Sequence, residues 1–319
     1  MEKEREAHPV YIYPYACHED ERPLCELELC VLLDAPVGER YVRSTRAIDP
    51  SRSPFAHGRL SVERRAASLE EIAEAAASLE LNGRTFKLRY IEADGEADYA
   101  ERRRIERLVG ARFRGKAEMK RPECLYGLAY VDGEWLLGDY TESESVWLRH
   151  NDKPRHYSTA LGTRTARAIA NIAVPKPENV HAVDPCCGIG TVLIEAKSMG
   201  IRMDGFDLNP LAAIGARENL AFFGLPGDVV VADMRKLEGR YDALVLDLPY
   251  NLCSVLTVGE RLEMLSAAER LAGRCVIVAT EDIEAELAEA GMKAAERCVV
   301  RKGNFARYVW LCVRPAAIE

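Results

Sequence analysis

The parts of this sequence that could do chemistry are a glycine turn and a series of acidic residues. The run Asp184-Pro-Cys-Cys-Gly-Ile-Gly-Thr191 follows residues 179–183, which have the pattern of a buried strand, and precedes residues 192–197, which have the composition of a helix. This order predicts a strand, a tight turn and a helix N-terminus. Gly188 and Gly190 let the backbone approach a ligand, and the free N–H groups at the helix start favour carboxylates or hydroxyls. The turn suits a nucleotide-like cofactor, although a tight turn without a ligand also fits these residues.

The residues around the turn argue against two common cofactors. A dinucleotide-binding turn has a third glycine where this chain has Leu193, and a phosphate-binding loop needs a Gly-Lys-Ser/Thr sequence that this chain lacks. NAD and ATP are therefore disfavoured.

Three further acids follow apolar segments downstream. Asp207 ends a short apolar strand, Asp233 ends the run 229–233, and Asp247 follows the strand-like residues 241–246. In open parallel sheets, ligands bind at the edge where the strands end, so Asp207 is placed to accept ribose hydroxyls and Asp233 to face an adenine edge. Each acid alone fits a helix N-cap or a loop equally well, but three at successive strand ends favour a shared site.

These motifs resemble those of class I S-adenosylmethionine-dependent methyltransferases that carry an Asp/Asn-Pro-Pro-Tyr motif, and the resemblance covers residues 156–313. It implies S-adenosylmethionine as the cofactor. The residues that it assigns to cofactor binding are Asp184, Cys186, Gly188, Gly190, Thr191, Asp207, Leu208, Asp233, Met234, Tyr157, Ser158 and Thr159. The last three precede a predicted helix, with Thr163 or Thr165 as its N-cap. A helix that only joins two domains, with a satisfied Ser cap, fits these residues about as well.

The resemblance assigns the chemistry to Asp247, Leu248, Pro249 and Tyr250. It implies that an exocyclic base amine donates hydrogen bonds to the Asp247 carboxylate and the Leu248 carbonyl while Tyr250 stacks on the base. Methyl transfer then depends on alignment and charge stabilisation, without a metal or a protein nucleophile. Leu248 stands where this group commonly has Pro. The carbonyl is kept, but the loop is expected to be less rigid.

The predicted fold class is α/β, with a Rossmann-like methyltransferase sheet in residues 151–319 that ends in an antiparallel hairpin at residues 298–313. Residues 1–150 are predicted to form a smaller α+β domain. That region resembles the THUMP-containing N-terminal part of tRNA guanine-N2 methyltransferases in its strand-then-Leu-Glu-Leu helix opening, in residues 86–91, and in residues 121–130 followed by 135–138. The resemblance implies that this domain grips RNA.

The charge distribution is consistent with RNA binding in one segment. The chain carries a net charge of −8, but residues 101–121 hold nine Lys or Arg against three Glu, a local +6. Either phosphate contacts or a solvated helix face with Glu/Arg pairs explains this tract. The candidate RNA-binding residues are Arg102, Arg103, Arg104, Arg112, Arg114, Lys116, Lys120 and, near the domain junction, Arg155.

The cysteine positions and the distribution of apolar residues bear on metal binding, location and partners. The ten cysteines form no Cys-x-x-Cys pair, so no metal site is expected. Because the chain has neither a secretory signal nor an apolar stretch of about 18 residues, we expect a cytoplasmic protein without a membrane partner. No obligate protein partner is evident.

The sequence and the resemblance together predict an S-adenosylmethionine-dependent RNA methyltransferase that modifies an exocyclic base amine. The choice of guanine N2 in tRNA as the target, at a site of the guanosine-10 type, rests on the resemblance alone. Three alternatives stay open at this point: a DNA adenine-N6 methyltransferase, a protein glutamine methyltransferase, and a non-catalytic module that binds the cofactor and RNA.

Overall fold

The computed structural model describes residues 9–95, 97–157, 160–249, 256–302 and 305–314. The described residues group into two compact units. The first contains those of Met1–Ala16, Leu33–Ser51 and Phe55–Glu144, and the second contains those of Cys17–Leu32, Arg52–Pro54 and Ser145–Glu319. Two short segments from the N-terminal half of the sequence therefore belong to the second unit.

The first half of the chain alternates strands and helices. In order, these are β1 (Tyr11–Pro14), α1 (Arg22–Leu33), β2 (Tyr41–Ser44), β3 (Gly58–Ala66), α2 (Leu69–Ala76), β4 (Phe86–Ile91), α3 (Tyr99–Gly110), β5 (Cys124–Val131) and β6 (Glu134–Glu142). Local signals start the helices: Ser68 and Glu71 form a capping box on α2, and Asp98 caps α3.

Within the described residues of the first unit, six strands form one sheet in the order β2-β1-β3-β6-β5-β4. Strands β4 and β5 are parallel, and the other neighbours are antiparallel. Helices α2 and α3 cover an apolar core that includes Ile72, Leu88, Val109 and Leu128. This unit contains both helices and strands, and the predicted division of the chain into residues 1–150 and 151–319 stays a prediction.

The second half of the chain forms the Rossmann-like region. Its elements are α4 (Thr163–Ala173), β7 (His181–Asp184), α5 (Thr191–Ser198), β8 (Arg202–Asp207), α6 (Pro210–Phe222), β9 (Val229–Val231), β10 (Ala243–Asp247), α7 (Val258–Leu271), β11 (Arg274–Ala279), α8 (Glu284–Glu289), β12 (Ala294–Lys302) and β13 (Phe305–Val313). In the region that the structure describes, seven strands follow the order β12-β13-β11-β10-β7-β8-β9.

Strands β7 to β11 run parallel, whereas β13 is antiparallel to both β11 and β12. The prediction of a methyltransferase-type sheet with a terminal antiparallel hairpin is confirmed. The chain order reverses between β7 and β10, and ligands bind at such switch points. Buried Leu244, Leu246, Ile277 and Trp310 fill the core beside this point.

The prediction that Thr163 or Thr165 is the N-cap of α4 is wrong. Gly162 is the N-cap, and it supplies no side-chain hydrogen bond. Thr163 is the first residue of the helix, and its hydroxyl instead donates to Asn151 Oδ1 at 2.8 Å. The threonine therefore ties the helix start to the preceding segment.

In the described portion of the chain, no helix combines the length and the apolar character that crossing a bilayer demands.

Candidate active site

Strands β7, β8 and β10 end in Asp184, Asp207 and Asp247, and all three acids line one cavity of about 360 Å³. The parallel register of these strands brings their carboxyl ends to the same sheet edge. Other predicted residues on its wall are Tyr157, Cys186, Gly188, Thr191, Leu208, Leu248 and Pro249. The structure thus brings together the glycine turn and the first three residues of the Asp-Leu-Pro-Tyr motif.

The glycine turn between β7 and α5 has the left-handed backbone that glycine accommodates. Gly188 has a φ of +54°, and a Cβ placed there would meet no atom within 4 Å, which leaves the cavity side of the turn open. Gly190 has a φ of +79° and lies behind the turn, where a Cβ would come within 3.2 Å of the Ala216 Cβ. Gly188 therefore keeps the wall clear, while Gly190 allows α6 to pack closely.

Asp207 holds the turn in place. One carboxylate oxygen accepts a hydrogen bond from Gly188 N at 2.8 Å, and the other accepts from Asn209 N at 2.8 Å. No sequence pattern indicates this use of Asp207, because the donors are backbone groups of two different loops. Its predicted contact with ribose stays a prediction.

Asp184 is the most deeply buried acid of the cavity, with 3% of its surface exposed. Burial, and then the negative charges of Asp247 and Asp207, raise the pKa of Asp184 well above its ordinary value. The described residues that line the cavity include no Lys, Arg or His. Three acids on a wall whose described residues include no basic side chain favour a cationic guest, and the sulfonium group of S-adenosylmethionine is cationic.

Thr191 gives a second test of the cofactor's fit. Its hydroxyl oxygen is buried, and it finds no hydrogen-bond partner among the described residues. Leaving a buried hydroxyl unpaired costs about 1–3 kcal/mol, which a polar group of a ligand in the cavity would recover. Thr191 is also the first residue of α5, beside free backbone N–H groups. The residues present therefore fit an adenosyl cofactor with polar and cationic groups.

Besides Gly190, two predicted cofactor residues, Asp233 and Met234, lie off the described cavity wall. Asp233 accepts a hydrogen bond from Arg235 N at 3.0 Å and forms an ion pair with the Arg235 guanidinium at 2.8 Å. The hydrogen bond from that guanidinium lowers the pKa of Asp233. Met234 is buried, with its sulfur 3.6 Å from the Cys186 sulfur. Adenine recognition by Asp233 stays a prediction, and the Asp233 carboxylate would have to accept the adenine amine beside its ion pair with Arg235.

Three predicted site residues lie outside the described residues: Ser158, Thr159 and Tyr250. The cavity wall also includes residues that the sequence patterns did not single out, among them Cys187, Ile189, Asn209 and Ala212. Cys187 and Ile189 lie inside the glycine motif, so their position in that motif could have predicted that they line the cavity.

Leu248 stands where related motifs commonly have Pro, and it is held more firmly than the sequence predicts. Its N–H donates to Val278 O on β11 at 2.9 Å, a hydrogen bond that proline cannot make. Its side chain is buried in the sheet core. The backbone between Asp247 and Pro249 is therefore held by a hydrogen bond and by packing.

The predicted RNA-binding arginines of α3 are internally paired. Arg102 pairs with Glu92, Arg103 with Glu106 at 2.8 Å, and Arg104 with Glu101 at 2.7 Å. Arg155, in the second unit, pairs with Glu218. In contrast, Arg112, Arg114, Lys116 and Lys120 follow α3 as exposed side chains.

A buried charge network lies behind the cavity. Glu195 on α5 is fully buried between His150, whose Nδ1 is 2.6 Å from one carboxylate oxygen, and Arg167, which donates to the other at 2.8 Å. Such a buried charge is stable only when it is paired, as here. The network fixes the helix that starts at Thr191.

The fold and the site define an S-adenosylmethionine-dependent methyltransferase. Residues 150–305 match the model of the UPF0020 family, the RMKL-like methyltransferase domain.

Two curated relatives extend the similarity. The chain is 29% identical over 247 residues to a tRNA (guanine(10)-N2)-dimethyltransferase of Methanothermobacter thermautotrophicus, covering 73% of this chain and 70% of that one. It is 28% identical over 190 residues to a U6 snRNA (guanine-N(2))-methyltransferase of Mus musculus, covering 56% and 35%. Among solved structures, TrmN from Thermus thermophilus has a TM-score of 0.50 at 21% identity, covering 96% of this chain and 99% of that one. This last similarity concerns the fold alone.

Proposed function

We propose that this protein methylates the exocyclic N2 of a guanine in RNA, with tRNA as the substrate and a guanosine-10 type of site. The observation that carries the proposal is the shared cavity, which is lined by Asp247, Leu248 and Pro249 together with the glycine turn proposed to hold the methyl donor. The relatives named as guanine-N2 methyltransferases of tRNA and snRNA support guanine N2 as the acceptor.

The proposed mechanism uses alignment and charge stabilisation by this chain. S-adenosylmethionine supplies an electrophilic methyl group on sulfur. Asp247 and the carbonyl of Leu248 accept hydrogen bonds from the two amine hydrogens and so orient the nitrogen lone pair toward that methyl group. The hydrogen bond from Leu248 N to Val278 O keeps this carbonyl in place. The methylated nitrogen is a strong acid, so even a weakly basic carboxylate such as Asp247 can accept its proton.

The first unit is proposed to be a THUMP-like module that contacts the RNA backbone. The α3 arginines are neutralised by their glutamates, so the exposed cations after that helix are the better phosphate ligands. These are Arg112, Arg114, Lys116 and Lys120, which form no ion pair with an acid among the described residues. Phosphate contacts of this kind give affinity that falls with salt. A cytoplasmic location, where tRNA is available, completes the proposal.

The test is transfer of a labelled methyl group into bulk tRNA by the full chain and by Asp247→Ala. Removing one preorganised hydrogen-bond acceptor is expected to slow transfer roughly 10²- to 10³-fold. Asp242→Ala is the matched control, because Asp242 flanks the opposite end of β10, where it accepts a hydrogen bond from His181 N at 2.8 Å. Its transfer rate should stay within about twofold of wild type.

Nucleoside mass spectrometry of the labelled tRNA identifies the product. We expect N2-methylguanosine. Equal label with wild type and Asp247→Ala would remove the catalytic assignment. In parallel reactions with DNA and with protein, label that enters adenine or glutamine while tRNA stays unlabelled would replace the proposed substrate with one of those alternatives.

A further inference from the structure

Asn219 on α6 joins two separate segments of the cavity wall. Its side chain is fully buried, and its amide makes three hydrogen bonds. Oδ1 accepts from Arg155 N at 2.8 Å, and Nδ2 donates to Arg155 O at 3.1 Å and to Ile189 O at 2.9 Å. One side chain thus binds the segment that leads into Tyr157 and the turn that contains Gly188.

The surrounding residues of α6 are small enough to permit this contact. A Cβ at Gly215 would lie 3.4 Å from Ile189 and 3.6 Å from Arg155, and Ala216 faces Gly190. Gly215 and Asn219 are four positions apart, so they lie on the same face of the helix. This face of α6 therefore packs against both segments at once.

The two segments that Asn219 joins both contribute to the cavity, whereas Asn219 does not line it. Ile189 and Gly188 form one side of the wall, and Tyr157, which follows Arg155 closely in the chain, forms another. The distance between these sides determines how closely the wall fits a cofactor. All of these residues lie in the second unit.

We propose that Asn219 is a positioning residue that sets the separation between the glycine turn and the Tyr157 segment and thereby determines cofactor affinity. It acts through Arg155 and Ile189 and touches neither the cofactor nor the substrate. Loss of its amide leaves the carbonyls of both residues without these donors, and the two sides of the wall are no longer tied together.

The test compares Asn219→Ala with Asn171→Ala. Asn171 on α4 is an internal match: it is also fully buried, and it also makes three hydrogen bonds, donating to Glu28 and to Arg52 O and accepting from the Arg52 guanidinium. Both variants should melt at a lower temperature than wild type. Binding of S-adenosylhomocysteine, measured by calorimetry, should weaken about tenfold or more only in Asn219→Ala.

Unchanged affinity in Asn219→Ala would overturn the proposal. An equal loss in both variants would overturn it as well, because it would reflect general destabilisation of the unit.

A measurement on the wild-type protein keeps the proposal testable if Asn219→Ala does not fold. S-adenosylhomocysteine should slow amide hydrogen exchange at Arg155, since cofactor contacts with the turn would be transmitted through Asn219. Arg314 N, which donates to Gly273 O at 2.7 Å, is the reference amide. Slowing at Arg155 but not at Arg314 supports the link, and equal behaviour of the two amides contradicts it.

Discussion

Glu28 provides a quantitative test of how residues 17–32 are held in the second unit. It is fully buried on α1, where Ser53 donates to one carboxylate oxygen at 2.8 Å and Asn171 to the other at 2.7 Å. Burial raises the pKa of Glu28 from its ordinary 4.5 to about 7, although these hydrogen bonds and two nearby arginines oppose the change. Ionisation of Glu28 is therefore less favourable in the folded protein than in the unfolded chain.

The sign and size of the effect follow from linkage. An acid whose pKa is raised by folding stabilises the protein below its unfolded pKa, and this contribution is lost as the pH rises through the folded pKa. A pKa difference of one corresponds to about 1.4 kcal/mol, so Glu28 should cost the protein roughly 2.5 kcal/mol between pH 5 and pH 8. Glu28→Gln removes this dependence. Its amide can still accept from Asn171 and donate to the Ser53 hydroxyl.

The assay is urea unfolding of the full chain at a series of pH values between about 5 and 8, the range set by the linkage. S-adenosylhomocysteine identifies the unfolding transition of the second unit, because a ligand that binds the folded state raises the stability of that unit. The stability of Glu28→Gln relative to wild type should increase by roughly 2.5 kcal/mol across this range. Glu26→Gln, an exposed position on the same helix, is the control and should show no such trend. Parallel pH profiles of Glu28→Gln and wild type would refute this account of Glu28.

Two further predictions concern ligand binding. Asp207→Ala removes the acceptor of the Gly188 and Asn209 amides, so calorimetry should show cofactor affinity reduced about tenfold or more; unchanged affinity would disprove any role of Asp207 at the cofactor. Replacing the four cations between Arg112 and Lys120 with Glu should flatten the salt dependence of tRNA affinity, by roughly one in slope for each phosphate that the protein no longer binds. The same change in Arg102–Arg104 should have a smaller effect because those arginines are already ion-paired, and the opposite ranking of the two sets would place the RNA contacts on α3.

The seven-stranded sheet could be predicted from the sequence because the patterns that indicate its strands and turns are local. Apolar runs that end in an acid predict parallel strands, Gly188 and Gly190 predict the turn, and the two β runs near the C-terminus predict the antiparallel hairpin. That is why the acids at the ends of β7, β8 and β10 could be expected at one edge of the sheet.

Tertiary structure decided which of those residues face the cavity and which have partners elsewhere. Strand β9 ends at Val231, so Asp233 falls in the following turn and pairs with Arg235. The basic character of α3 is visible in the sequence, but whether its arginines contact phosphate or Glu92 depends on folding.

The tie between Arg155, Asn219 and Ile189 likewise joins residues that are 30 to 64 positions apart. The sequence determined the elements and the types of side chain at their ends, because backbone periodicity and turn chemistry act over a few residues. Only the packed structure fixed the partners, because each hydrogen bond or ion pair depends on distances between segments that the chain brings together from far apart.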